Sequence, residues 1–223
     1  MFFLFGIVHE MLESMYQWIF SLFNGNHFCI YVIGTTFITA FSFWFLTLFS
    51  FFCNLFKSKR LQEHKHQEKI PLKTYSSILK TILINQFITT PVFAAFCYPI
   101  AVLEGCSFTT TLPWCKEVVW SLMVCIVVEF GWLFHTSQFF HKNHAHSFFH
   151  TVYPMEIAPG SLSAIVSHPI DHLLKNLSPI FFGTILSATH PVFLWIWATI
   201  AIFSSINFHG YKFPFFHLLR LIV

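Results

Sequence analysis

Residues 28–56 read FCIYVIGTTFITAFSFWFLTLFSFFCNLF, from Phe28 to Phe56, without one charged side chain. Lys57-Ser58-Lys59-Arg60 then ends the run abruptly. At about 1.5 Å per helical residue it outreaches a hydrocarbon core of about 30 Å, and a helix satisfies its own backbone polar groups there. The stretch predicts a membrane span. The composition of the 223-residue chain agrees: 56% hydrophobic, 20% aromatic, 9% charged. An ordinary soluble domain carries about 25% charged residues. Twelve basic and nine acidic side chains do not clothe a globule of this length in water. A soluble enzyme, a disordered chain and a nucleic-acid binder are set aside. The net charge of +3 is too small to imply an anionic partner.

Working outward, residues 1–27 form an apolar N-terminal segment broken by His9, Glu10 and Glu13. It lacks the basic start and small-residue cleavage site of a signal peptide. It reads as an interfacial amphipathic helix or a loose extra span. The first clear span is 28–56, and a polar, basic loop fills 57–77. A second span is expected from Ile78 to Leu103, bent at Pro91 and Pro99, and a third from Val118 to Phe140 with Glu129 inside it. A carboxylate within a membrane is costly and is a functional candidate by default. The block from Leu177 to Phe208 is split by His190-Pro191 and reads as a helical hairpin, with a single kinked span as the alternative.

Seven of the twelve Lys and Arg residues lie between Lys57 and Lys80. By the positive-inside rule that loop faces the cytosol. Residues 135–176 then emerge on the same side. The predicted fold is an all-α integral membrane protein of about four membrane-embedded helices with a cytosolic, histidine-rich cap.

The six cysteines form no CxxC pair and resemble neither a zinc site nor a disulfide framework. Cys106 and Cys115 share a loop and would pair if that loop were lumenal.

Of the fourteen histidines, seven fall within 135–172: His135, His141, His144, His146, His150, His168 and His172; His209 and His217 follow. Imidazole suits iron, zinc, copper and nickel. On a helix, His141 and His144 stand at i, i+3, and His146 and His150 at i, i+4, so each pair shares a face. The alternative is an interfacial segment whose rings favour the headgroup region. In His168-Pro169-Ile170-Asp171-His172, Asp171 is either a ligand, a carboxylate orienting an imidazole, or simply an acid near the positive end of a new helix. His9, His27, His64 and His66 read as surface residues, and His190 as a turn residue.

Several stretches resemble the sterol desaturase / fatty acid hydroxylase superfamily, membrane di-iron oxygenases of the endoplasmic reticulum. They are Lys69-Ile70-Pro71 with Asn85-Gln86, Glu129 ahead of the histidines, Ala158-Pro159, Ser167 to His172, Asn176-Leu177-Ser178-Pro179, and His209-Gly210-Tyr211-Lys212-Phe213-Pro214. The resemblance makes 78–216 the hydroxylase-like domain, with 217–223 a truncated tail. It implies a hydroxylase or C4-methylsterol-oxidase-like oxidoreductase of lipid or sterol metabolism. It also implies bound iron, a membrane lipid or sterol substrate, and an electron donor of the cytochrome b5 type.

The family's histidine boxes are eroded here. Aligned without gaps, the first falls on Ser137 to His141, keeping only His141; the second falls on His150 to Pro154, keeping only His150. His168 matches a third ligand. The last box is expected near Ile222. The resemblance thus implies His141, His150 and His168 as metal ligands, with His135, His144, His146, His172 and His209 as substitutes. Tyr153 and Pro154 offer no imidazole, and three ligands do not hold two irons. The expectation is a family scaffold with impaired or absent activity; an incomplete chain of an active enzyme is the alternative reading. Trp132, Phe139, Trp195 and Trp197 are candidate lining residues of a substrate cavity.

Overall fold

The computed structural model describes residues 2–55, 72–113, 115–142, 162 and 165–210. Among these, six helices occur and no strand. Helix α1 is Phe2–Leu22. Helix α2 covers residues 27–55, α3 covers 72–103, and α4 is Cys115–Lys142. Helix α5 covers 169–186, and α6 is Pro191–Gly210. Three segments are long and apolar enough to cross a membrane: His27–Phe49, Ser76–Leu103 and Lys116–Thr136. They coincide with the three spans expected from sequence. A shorter apolar helix, Pro191–Ile206, accompanies them.

The fourth block is a helix pair joined by a turn at 187–190, as the split at His190-Pro191 suggested. Its first arm is longer than expected. It starts at Pro169, where proline's fixed φ and missing N–H suit the first turn of a helix. The arm is therefore about 27 Å long at about 1.5 Å per residue. The turn closes with the Thr189 N–H on the Thr184 carbonyl at 3.2 Å and Ala188 at φ 49°.

The helices meet through close backbone approach and polar pairs, the contacts that hold apolar helices together in lipid. Gly34 of α2 lies under the Trp195 ring of α6, where a Cβ would come within 2.7 Å of Cζ2. The Trp195 indole N–H donates to Thr35 Oγ1 at 3.0 Å. Ser42 and Thr199 hydroxyls meet at 3.0 Å across the same pair of helices. Gly183 of α5 abuts Cys125 of α4. The outer face of α2 instead carries a stacked, exposed ladder, Phe37–Phe41–Phe45, at one-turn spacing.

The turns gather at one end. The His27 and Phe108 rings stack at 5.0 Å, and His190 Nε2 meets the Thr109 carbonyl at 2.9 Å. Tyr16 of α1 is buried there, its ring 4.5 Å from that of His190. The N-terminal segment is thus a helix packed on this end. Cys106 is a free thiol, so the Cys106–Cys115 disulfide does not form.

Three helices contain a π-helical turn: Ile30–Gly34, Asn85–Thr89 and Leu173–Leu177. The last two directly precede Thr90-Pro91 and Ser178-Pro179. Proline supplies no N–H to the turn behind it. The neighbouring hydroxyl bonds back instead: Thr90 Oγ1 donates to the Asn85 carbonyl at 2.9 Å, and Ser178 Oγ to the Leu173 carbonyl at 2.8 Å.

Candidate functional site

Toward the opposite end from the turns, α2 to α6 line an open cavity of about 100 Å³. Its apolar wall includes Leu133, Leu177, Ile180 and Ile202, and its polar groups include Gln86, Glu129, His172, Lys175 and Asn176. Both proline-associated π turns contribute to it, Gln86 from one and Lys175, Asn176 and Leu177 from the other. Such wide turns recur at functional sites because they re-aim side chains that a regular helix would align elsewhere.

Gln86 is 3% exposed. Its Oε1 accepts the Trp44 indole N–H at 2.9 Å, while its Nε2 is buried with no hydrogen-bond partner among the described residues. The neighbouring Asn85 is fully enclosed. Its Nδ2 donates to the Ile165 and Ser167 carbonyls at 3.0 and 2.9 Å, tying α3 to the segment that enters α5. Glu129 is buried on α4, one helical turn from the cavity-lining Leu133. Trp132 donates its indole N–H to the Leu174 carbonyl at 2.6 Å, pinning α4 to the second π turn. Trp132, Trp195 and Trp197 are not among the residues lining the cavity; each packs between helices instead.

The His168–His172 stretch is a helix start, one of the alternatives its sequence allowed. His168 caps α5, its Nδ1 accepting the Ile170 N–H at 3.2 Å. Asp171 lies in the first turn and pairs with Lys175 Nζ at 2.7 Å. His172 is buried on the cavity wall, Nδ1 2.9 Å from the Asn176 amide nitrogen. Burial pushes the His172 ring down to about 4, so it is neutral at physiological pH.

Of the remaining candidate ligands, only His135 has a described side chain. His135 is exposed on α4 and lies off the cavity. His141 lies on the last turn of α4, and His209 at the end of α6. His144, His146 and His150 fall outside the described residues. Among the described residues, no three His, Cys, Asp or Glu side chains gather around one point.

The hydrogen bond at His168 also bears on iron. A neutral ring that accepts at Nδ1 carries its proton on Nε2, and neither nitrogen then offers a free lone pair. Ligation through Nε2 requires that Nδ1 carry the proton and that the capping bond break. His172 is different: turning the Asn176 amide over places a carbonyl oxygen against Nδ1 and frees Nε2. The described residues do not fit a di-iron centre as they stand.

Gln86 and the two π turns were not singled out as a site from sequence. The available signal was a pair of hydroxyl-proline dipeptides, Thr90-Pro91 and Ser178-Pro179, within apolar runs.

Curated proteins resemble this chain along most of its length. A fatty acid hydroxylase, ahd1 of Mycosarcoma maydis, is 26% identical over 158 residues, 70% of this chain and 40% of that one. Fatty acid hydroxylase domain-containing protein 2 of Homo sapiens is 21% identical over 210 residues, 91% of this chain and 63% of that one. Methylsterol monooxygenase 1 of Rattus norvegicus is 23% identical over 204 residues, 88% of this chain and 68% of that one. The chain therefore spans only two-fifths to about two-thirds of the length of these relatives. No family model matches it, and no solved structure matches it. With relatives of both kinds matched across its helices, the chain resembles the fatty acid hydroxylase domain proteins and the methylsterol monooxygenases, the relatives its sequence motifs pointed to.

Proposed function

We propose that this chain is a membrane oxidoreductase-type protein of lipid or sterol metabolism whose iron centre is impaired. The observation that carries this reading is the cavity between the spans. It is apolar along its walls, polar at Gln86, Glu129 and His172, and lies between the helices that bear His141, His168 and His209. An apolar pocket with a few convergent polar groups is the usual form of a small-molecule site. The relatives bearing hydroxylase and monooxygenase names support the reaction class. The loss of imidazoles at Ser137, Tyr153 and Pro154 supports the impairment. The proposed setting is the endoplasmic reticulum membrane with the histidines facing the cytosol, where a donor of the cytochrome b5 type would reach them.

A second reading is a catalytically inactive scaffold that binds lipid. It is favoured by His168, whose ring is engaged in capping α5.

Elemental analysis of the full chain, purified in detergent after expression with added iron, separates the two. About two irons per chain, lost in a His141→Ala/His150→Ala/His168→Ala variant, supports a rebuilt site, and oxidation of sterols and fatty acids is then assayed with dioxygen and an electron donor. Iron unchanged in that variant rejects the carried-over ligands. A chain without metal leaves the scaffold as the function.

A further inference from the structure

We infer that α1 lies flat in the membrane interface at the turn end of the bundle, with Met11, Met15, Trp18 and Leu22 set into lipid and Glu10, Ser14, Gln17 and Ser21 facing water. The occupant of its exposed apolar stripe is the bilayer itself. The sequence allows either an interfacial helix or a further span, and the burial of α1 separates the two.

Three ladders run along α1, each at i, i+4, i+7 and i+11 and each turned about 100° from the next. Leu12, Tyr16, Ile19 and Phe23 face protein: Tyr16 is 1% exposed, and the others pack against the core. Met11, Met15, Trp18 and Leu22 are apolar, yet 61%, 58%, 66% and 60% exposed. Glu10, Ser14, Gln17 and Ser21 are polar and exposed.

A helix standing across a bilayer meets lipid on every side that protein does not cover. Its exposed residues therefore change polarity along its length. On α1 they change polarity around the circumference instead, and each exposed stripe keeps its character from one end of the ladder to the other. An axis parallel to the membrane plane gives a helix protein on one side, water on the second and hydrocarbon on the third. Amphipathic helices of that kind sit about 5–10 Å into the boundary between headgroups and acyl chains. A spanning α1 would set Glu10 about 18 Å along the axis from Leu22, at a depth where a carboxylate is costly.

The protein-facing ladder fixes the height. The Tyr16 hydroxyl donates to the Phe108 carbonyl at 3.5 Å, and its ring lies 4.5 Å from that of His190. The Phe20 ring lies 6.1 Å from that of His27, the first residue of α2. Trp195, 6.0 Å from Tyr16, is one turn into α6. These partners all sit where the spans end, the level at which an exposed tryptophan such as Trp18 is favoured.

The test places single added cysteines on the two exposed stripes of the full chain in phosphatidylcholine nanodiscs, which leave both membrane faces open. Glu10→Cys, Ser14→Cys and Gln17→Cys sample one stripe; Met11→Cys, Met15→Cys and Trp18→Cys sample the other. A charged maleimide is the probe, and peptide masses score each added thiol apart from the six native ones. Maleimide reacts with the thiolate, which forms in water and not in hydrocarbon, so the polar stripe is expected to label at least about tenfold faster at every level. In denaturing detergent the six rates should converge. Rates that fall on both stripes from residue 18 toward residue 10 would show a spanning helix and overturn the inference. Fast labelling of both stripes, as for a helix clear of the bilayer, overturns it too, as does slow labelling of both, which a covering protein would give. Trp18 supplies a readout free of added cysteines: its emission, taken as the difference between the unaltered protein and Trp18→Phe, should be quenched more by lipid brominated near the headgroup than by lipid brominated deep in the chain. The reverse order overturns the interfacial placement. None of these outcomes bears on the reading of the cavity.

Discussion

The Trp44 indole N–H donates to Gln86 Oε1 at 2.9 Å, joining α2 to the first proline-associated π turn of α3. The bond both fixes the amide and occupies a donor-only group in a half-buried position. Trp44→Phe removes the donor and leaves Oε1 without it. A loss of about 1–2 kcal/mol is expected on that account, with further loss from the smaller ring. Gln86→Leu alone strands the indole N–H instead and is expected to cost a similar amount. The double variant is expected to be more stable than the sum of the two single losses implies. Thermal unfolding of the four proteins in one detergent, analysed as a double-mutant cycle, checks this.

Gly34 and Gly183 are expected to resist replacement. A Cβ on Gly34 would meet Trp195 Cζ2 at 2.7 Å, and one on Gly183 would meet Cys125 Cα at 3.0 Å. The first clash is with a ring held by Thr35, the second with backbone. Each Ala variant is expected to lose about 1–3 kcal/mol through overpacking. Gly131→Ala is the control. Nothing lies within 4 Å of its Cβ, and in a helix interior Ala is better than Gly by about 0.5–1 kcal/mol. Melting temperatures should fall for the first two and rise for the third.

The spans were legible because charge and length settle them. Residues 28–56 carry no charge, and lipid admits such a run only as a helix. The site was less legible, for a reason visible at His168. An imidazole before proline is the same in sequence whether it binds metal or caps a helix; only the N–H at Ile170 distinguishes them. His190-Pro191 repeats the arrangement, with His190 Nδ1 accepting the Val192 N–H at 3.2 Å. Gln86 was hidden by a different effect. Its position on the cavity depends on a π turn, which shifts the face that a regular 3.6-residue period assigns.

The Asp171–Lys175 pair is expected to be lopsided. The Asp171 side chain is 6% exposed and that of Lys175 is 31% exposed. Removing Lys175 leaves a carboxylate enclosed without its cation. Removing Asp171 leaves an ammonium that can still reach water. Lys175→Met is therefore expected to lose about 1–3 kcal/mol, and Asp171→Asn about half as much, with part of the difference screened by water at the lysine. Unfolding at low and high salt tests both: the order should persist while the gap narrows.

His190 makes the folded chain sensitive to acid. Burial holds its ring below the usual value of 6.5, opposed in part by the Thr109 carbonyl. The two ring nitrogens are committed to opposite roles: Nδ1 accepts the Val192 N–H, and Nε2 donates to Thr109. That assignment defines the neutral ring. Above about pH 6.5 both folded and unfolded chains hold it neutral, and its contribution is fully present. As pH falls below that value the unfolded chain takes up the proton first, and stability drops until the folded ring titrates too. His190→Asn retains a side-chain oxygen for the Val192 N–H but does not titrate. The unaltered protein is expected to lose more thermal stability than this variant between pH 7 and pH 5. Parallel melting curves across that range would reject a titrating role for His190.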